Sequence, residues 1–266
     1  MGKVYLIGAG PGDPELLTVK AARLLQRARI VLHDSLVSRA VLQLISRGAE
    51  SIDVGKRCGQ KLLTQDEINA LLVSYAASHE VVIRLKGGDP LVFGRAGEEI
   101  EALRRAAIEF EIVPGVTAAL GAAAAAGISL TDRRAASQIV ITTYSRGSDA
   151  AVSDPFAATP QLNWAAISSS TTLVLYMPGA DYAEVSQRLL DAGQPKDLPC
   201  VIVSNATGPL QQIRWSSVAG LSREAKLPAP ALLIVGRVAT HEIREIAANH
   251  WSGTRREHPI RNATII

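Results

Sequence analysis

The run Val4-Tyr5-Leu6-Ile7-Gly8-Ala9-Gly10-Pro11-Gly12-Asp13-Pro14 decides how the rest of the chain reads. β-Branched and aromatic residues over 4–7 predict a strand, the glycines a tight turn, and apolar residues at helical spacing over 16–29 a helix. The same alternation continues. Ile30-Val31-Leu32 precedes His33-Asp34-Ser35, a run over 51–54 precedes Gly55-Lys56-Arg57, and a run over 81–85 precedes Lys86-Gly87-Gly88-Asp89-Pro90. A strand over 110–113 precedes Pro114-Gly115-Val116-Thr117, and helices over 65–78, capped by Thr64, and over 97–107 fall between the strands. Such alternation predicts a mostly parallel sheet covered by helices on both faces.

Past Pro114 the pattern starts again, with strands expected over 139–142, 173–176, 201–204 and 231–235 and a helix over 183–192. Two α/β domains are therefore expected, over 1–116 and 117–246, with a polar tail over 247–266. Between 146 and 172 the composition shifts to Ser, Thr, Ala, Asp and Pro, the signature of a long surface loop or a partly ordered insertion. The window 112–131 carries no charge over roughly the ~20 residues of a membrane span. Pro114, the glycines and the alanine run make it a buried, closely packed helix instead, because small residues gain little from lipid.

The 266 residues carry 28 Lys+Arg against 25 Asp+Glu, with 47% hydrophobic and 20% charged, a composition that folds. Only Cys58 and Cys200 are present and no Cys-x-x-Cys pair exists, which argues against a disulfide scaffold, a thiolate zinc site and an iron–sulfur cluster and fits a reducing cytoplasm. No signal peptide is evident at the N-terminus. Aromatics at 4% and no dense basic stripe argue against a nucleic-acid partner. His241-Glu242 and His79-Glu80 each begin a zinc-helix pattern, but Glu245 and Ile83 stand where the second histidine belongs.

The first glycine turn is not a dinucleotide fingerprint: Asp13 occupies the last glycine position and Pro11 removes an amide that would face phosphate. What gives it weight is recurrence. Gly87-Gly88-Asp89-Pro90 and Pro114-Gly115-Val116-Thr117 place glycine-flanked backbone at two more strand C-termini, and a neutral cradle of this kind suits a nucleoside better than a pyrophosphate. No Walker lysine loop is present, which argues against ATP hydrolysis. From Arg84 to Glu99 three basic and three acidic side chains surround four glycines. A solvated ion-pair surface is one reading; a site is the other, since a solvated surface does not need so much backbone freedom. A helix starting near Gly94 puts Arg95 and Glu98 on one face at i, i+3.

Residues 4–17, Val54-Gly55-Lys56-Arg57, 65–71, the Arg84–Glu99 segment and Val113-Pro114-Gly115-Val116-Thr117-Ala118 resemble the uroporphyrinogen-III C-methyltransferases of the tetrapyrrole methylase family, over about residues 3–240. The resemblance implies two α/β domains with S-adenosylmethionine in the cleft between them and no metal. It implies two methyl transfers, to carbons 2 and 7 of uroporphyrinogen III, giving precorrin-2 for sirohaem or cobalamin, in a homodimer without a membrane partner. Carried over by position, the cofactor contacts are Pro11, Gly87, Gly88, Asp89, Val92, Thr117, Ala118, Met177 and Ala206. Asp34 and Lys56 match the suggested proton acceptor and donor, and Arg95, Glu98 and Arg133 match residues that hold substrate or assist deprotonation. Thr131-Asp132-Arg133-Arg134-Ala135-Ala136 departs from the usual Thr-His-Arg-Asp-Tyr-Ala and keeps Arg133. Such departures leave open a methylase for another corrin intermediate, or a non-catalytic tetrapyrrole-binding relative.

Overall fold

The structure, a computed structural model, describes residues 2–55, 63–144, 162–179 and 182–240. Its first half runs β1 (Lys3–Gly8), α1 (Val19–Arg27), β2 (Ile30–His33), a single turn α2 (Arg39–Leu42), β3 (Glu50–Asp53), α3 (Gln65–Ser78), β4 (Val81–Lys86), α4 (Ala96–Arg105) and β5 (Glu109–Val113). The five strands pair in the order β3-β2-β4-β1-β5, all parallel. One apolar layer joins α1 and α2 to Ile7, Val31, Ile83 and Leu85; the other joins α3 and α4 to Val4, Leu6, Leu32 and Val82. Alternation along each strand thus feeds both faces, as a sheet covered on both sides requires.

Capping places the helices. Thr64 Oγ1 accepts from the Glu67 amide at 3.1 Å while the Glu67 carboxylate accepts from the Thr64 amide at 2.5 Å, a reciprocal box that starts α3 where the sequence predicts. The first helix begins three residues later than its apolar pattern does. Asp13 caps a short 3₁₀ turn over Pro14–Leu16, and Thr18 then caps α1.

The second half contains α5 (Ala118–Ala126), β6 (Gln138–Thr143), β7 (Thr171–Tyr176), α6 (Tyr182–Asp191), β8 (Pro199–Ser204), β9 (Gln212–Ser217) and β10 (Ala231–Val235). Its sheet, in the order β6-β7-β10-β8-β9, is mixed: β6 and β7 run parallel, while β10 is antiparallel to both neighbours and β9 returns antiparallel along β8. Strand β9 is not expected from the sequence, because Gln-Ile-Arg-Trp-Ser-Ser offers only two apolar residues in an otherwise polar run. Helix α6 covers one face and α5 the other.

The uncharged window over 112–131 resolves into the end of β5 and the nine-residue α5; among the described residues no helix is long and apolar enough to cross a membrane. Smallness serves close approach instead. A Cβ on Gly121 would lie 2.5 Å from Pro11 Cβ, so the first glycine loop rests directly on α5. Gly121→Val is expected to prise that loop off and cost about 1–3 kcal/mol of overpacking, read as a lower Tm together with weaker donor binding in calorimetry.

Candidate active site

Parallel register brings the glycine loops to one edge. Gly8 stands opposite Lys86, Ile7 opposite Val113, and His33 opposite Leu85, so the chain leaves β1, β2, β4 and β5 at one level. There three glycines touch. A Cβ on Gly8 would sit 2.6 Å from Gly115 Cα and from the Gly88 carbonyl oxygen, and a Cβ on Gly115 would sit 2.3 Å from that same oxygen. The Gly10 amide donates to the Gly88 carbonyl at 3.1 Å and the Gly88 amide to the Gly10 carbonyl at 2.8 Å. Gly88 itself has φ +66°, the left-handed region that favours glycine. Asp89 ties the third loop to the second: one carboxylate oxygen accepts from the Leu91 amide at 2.8 Å, the other from the Gly115 amide at 3.0 Å.

The second half closes over this floor. Tyr176, at the end of β7, accepts from the Ala119 amide at 2.9 Å and shares a 2.6 Å hydrogen bond with Thr117 Oγ1, fixing the N-terminus of α5. Burial raises the Tyr176 phenol above its usual pKa, so it stays protonated at neutral pH. Its ring meets that of Phe93, from the loop before α4, with centroids 5.0 Å apart. The Asp13 amide donates to Thr207 Oγ1 at 3.2 Å, a second tie between the halves.

Backbone strain collects around the same space. Six described non-glycine residues have positive φ, and five of them, Phe93, Arg95, Met177, Asn205 and Thr207, belong to these loops. Phe93 and Met177 line the cleft, and Asn205 and Thr207 flank Ala206, which lines it too. Each such conformation costs on the order of 1–3 kcal/mol and persists where its surroundings over-determine it, which is common at ligand sites.

The cleft so formed holds about 510 Å³, within the ~300–1,000 Å³ of small-molecule sites. Asp34, just beyond β2, opens onto it, with its side chain 27% exposed. Residues 3–221 match the model of the tetrapyrrole (corrin/porphyrin) methylases. The chain belongs to this family. The uroporphyrinogen-III C-methyltransferase of Paracoccus denitrificans is 48% identical to this methylase over 244 residues, covering 90% of this chain and 82% of the relative. The siroheme synthase of Actinobacillus pleuropneumoniae serotype 7 is 45% identical over 240 residues, and there this methylase spans 48% of the relative's length. A uroporphyrin-III C-methyl transferase from Thermus thermophilus, solved in complex with S-adenyl homocysteine, superposes with a TM-score of 0.75 at 36% identity, covering 89% of this chain and 98% of that one.

All nine positions carried over as cofactor contacts in this methylase line the one cleft: Pro11, Gly87, Gly88, Asp89, Val92, Thr117, Ala118, Met177 and Ala206. Asp34 lines it as well. Arg95 and Glu98 sit beside it, Arg95 Nε and Nη2 meeting the two Glu98 oxygens at 2.7 and 2.8 Å in a fork. Arg133 is exposed in the turn before β6 and is not among the residues lining the cleft. Lys56 lies outside the described residues. The sequence did not single out Leu36, Phe93, Tyr176, or Lys226, Leu227, Ala229 and Pro230 before β10, all of which line the cleft. Leu36, two residues after Asp34, is 66% exposed, an apolar side chain at the cleft that only the structure shows to lie outside the core.

Proposed function

We propose that this methylase transfers methyl groups from S-adenosylmethionine to carbons 2 and 7 of uroporphyrinogen III, yielding precorrin-2. The reading rests above all on one observation: three glycine loops, Asp89 and Asp34 share a single cleft, in a chain 48% identical to a protein named for that reaction. The residues present fit the donor. Backbone at Gly87 and Gly88 is bare of side chains, Thr117 and Ala118 open α5 at the cleft, and Met177 and Ala206 offer apolar contact from the second half. Bound there, the sulfonium supplies an activated methyl group and departs as a neutral thioether. The chain's part is alignment, since holding two reactants in line is worth several kcal/mol of barrier, and removal of one proton for every methyl gained.

We assign that proton to Asp34, whose side chain is partly exposed and lines the cleft, which supports the reading. The substrate's eight peripheral carboxylates call for arginine forks, and Arg95 at the cleft edge, set in register by Glu98, is assigned to one of them. Arg95→Lys keeps the charge and loses the fork. It is expected to lower kcat/KM for the tetrapyrrole by roughly ten- to a hundredfold, the worth of one bidentate charge-assisted contact, without changing donor affinity. A homodimer belongs to the same reading and is checked by light scattering at micromolar concentration.

Uroporphyrinogen III incubated anaerobically with the protein and S-adenosylmethionine tests the assignment. Dimethylated product supports it. A methylated product from a different tetrapyrrole alone, with uroporphyrinogen III untouched, would favour the reading in which the altered Thr131–Ala136 segment redirects specificity.

A further inference from the structure

Alternation along β4 sends Ile83 and Leu85 toward α1, and Val82, Arg84 and Lys86 toward α3 and α4. The neighbouring β2 is in register, Leu32 opposite Arg84, so the same alternation carries Asp34 to the Arg84 side at the strand's end. Two cations therefore stand inside a protein layer, each only 2% exposed, where an ion costs several kcal/mol of lost hydration and where apolar residues of similar volume often serve stability equally well or better. Their arrangement is ordered along one line. Glu99, on α4 and fully buried, accepts at one oxygen from Arg84 Nε at 3.0 Å and from Lys86 Nζ at 2.8 Å. Arg84 Nη1 donates to the Leu85 carbonyl at 3.2 Å and the Leu32 carbonyl at 3.4 Å. What remains is Nη2, which bonds Asp34 Oδ1. The guanidinium plane is thus fixed by two strands and a helix, and of the two carboxylates it bonds, Glu99 is buried and Asp34 opens onto the cleft. Burial, the largest influence on Arg84, pushes its pKa down, but Asp34 and Glu99 together outweigh it, so the cation persists.

We propose that Arg84, clamped from behind by Glu99, which Lys86 also bonds, is a positioning residue for methyl transfer: it holds the Asp34 carboxylate in the orientation from which it takes the proton. Methyl transfer leaves the macrocycle cationic. A bond to hydrogen then breaks, its electron pair stays with the ring system and neutralises it, and the proton passes to a carboxylate oxygen of Asp34. Arg84 touches neither donor nor tetrapyrrole in this scheme. The inference rests on the assignment of Asp34 above.

A double-mutant cycle separates the two. In Arg84→Lys, kcat with uroporphyrinogen III is expected to fall roughly ten- to a hundredfold while KM for S-adenosylmethionine stays within about twofold, because an ammonium does not reproduce the fork that reaches Asp34 and Glu99 together. In an Asp34→Asn background the same change is expected to have little further effect on kcat, since residues acting as a unit are non-additive. A full additive loss in both backgrounds, or wild-type kcat in a folded Arg84→Lys protein whose Asp34→Asn counterpart is slow, overturns the positioning role alone. Wild-type turnover by Asp34→Asn overturns the assignment of Asp34 and the inference with it. Should Arg84→Lys not fold, Glu99→Gln keeps Arg84 in place and removes the rear charge; its kcat loss is expected to be smaller and again absent once Asp34 is replaced, and equal loss in both backgrounds overturns the proposal.

Discussion

Gly115→Ala is expected to cost at least about a hundredfold in S-adenosylmethionine affinity and to lower Tm by several degrees. The added methyl group would lie 2.3 Å from the Gly88 carbonyl oxygen and 2.8 Å from Gly8 Cα. Both are main-chain atoms of the loops that form the cleft floor, so no rotamer change can relieve the overlap. The loops after β4 and β5 must move apart, which strains the Gly115 amide's bond to Asp89 and dislocates the donor's bed. Overpacking of this kind costs about 1–3 kcal/mol in stability, and each ~1.4 kcal/mol lost from binding is tenfold in Kd. Gly97→Ala is the control. Nothing lies within 4 Å of a Cβ there, on the exposed first turn of α4, and alanine is expected to leave binding unchanged and to raise stability by roughly 0.4–1 kcal/mol. Calorimetry and a thermal melt on both variants read the contrast; equal donor affinity in the two would mean that the glycine floor does not carry the donor.

Asp34→Asn is expected to reduce kcat by roughly 10²- to 10⁴-fold, the usual contribution of a positioned general base, with donor affinity little altered. Asparagine keeps the size and can still accept from Arg84 Nη2, so folding survives, but its amide does not take up a proton at neutral pH. Single-turnover measurements distinguish this from slow product release, since only the chemical step should be affected. Unchanged single-turnover rates would remove Asp34 from the chemistry and leave it as the exposed end of a buried ion network.

Much of the fold was legible because its rules are local. The capping box at Thr64 and Glu67, the glycine stops after β1, β4 and β5, and the β–α alternation are all short-range signals. Parallel register then did the rest by bringing those loops to a common edge. The mixed second sheet was not legible in the same way. Its central strand β10 pairs with β7 and β8, which lie earlier in the chain, and β9 has too few apolar residues to announce a strand. Among site residues, Asp89 declares itself beside two glycines, whereas Tyr176 acts through its hydroxyl on Thr117 and Ala119, nearly sixty residues earlier in sequence. Arg84 and Glu99 are the sharpest case. In a linear reading, charges between glycines suit a solvated surface as well as a site, and only the strand's two-residue period, set against α4, shows that they are buried and joined.

This cleft is expected to methylate uroporphyrinogen III twice. Mass spectrometry of the tetrapyrrole pool after anaerobic incubation of the purified protein with enzymatically generated uroporphyrinogen III and excess S-adenosylmethionine addresses it directly. The expected product is a macrocycle carrying two added methyl groups, with two equivalents of S-adenosylhomocysteine released for each. Donor bound in the cleft, but no methyl group on the macrocycle, would contradict it.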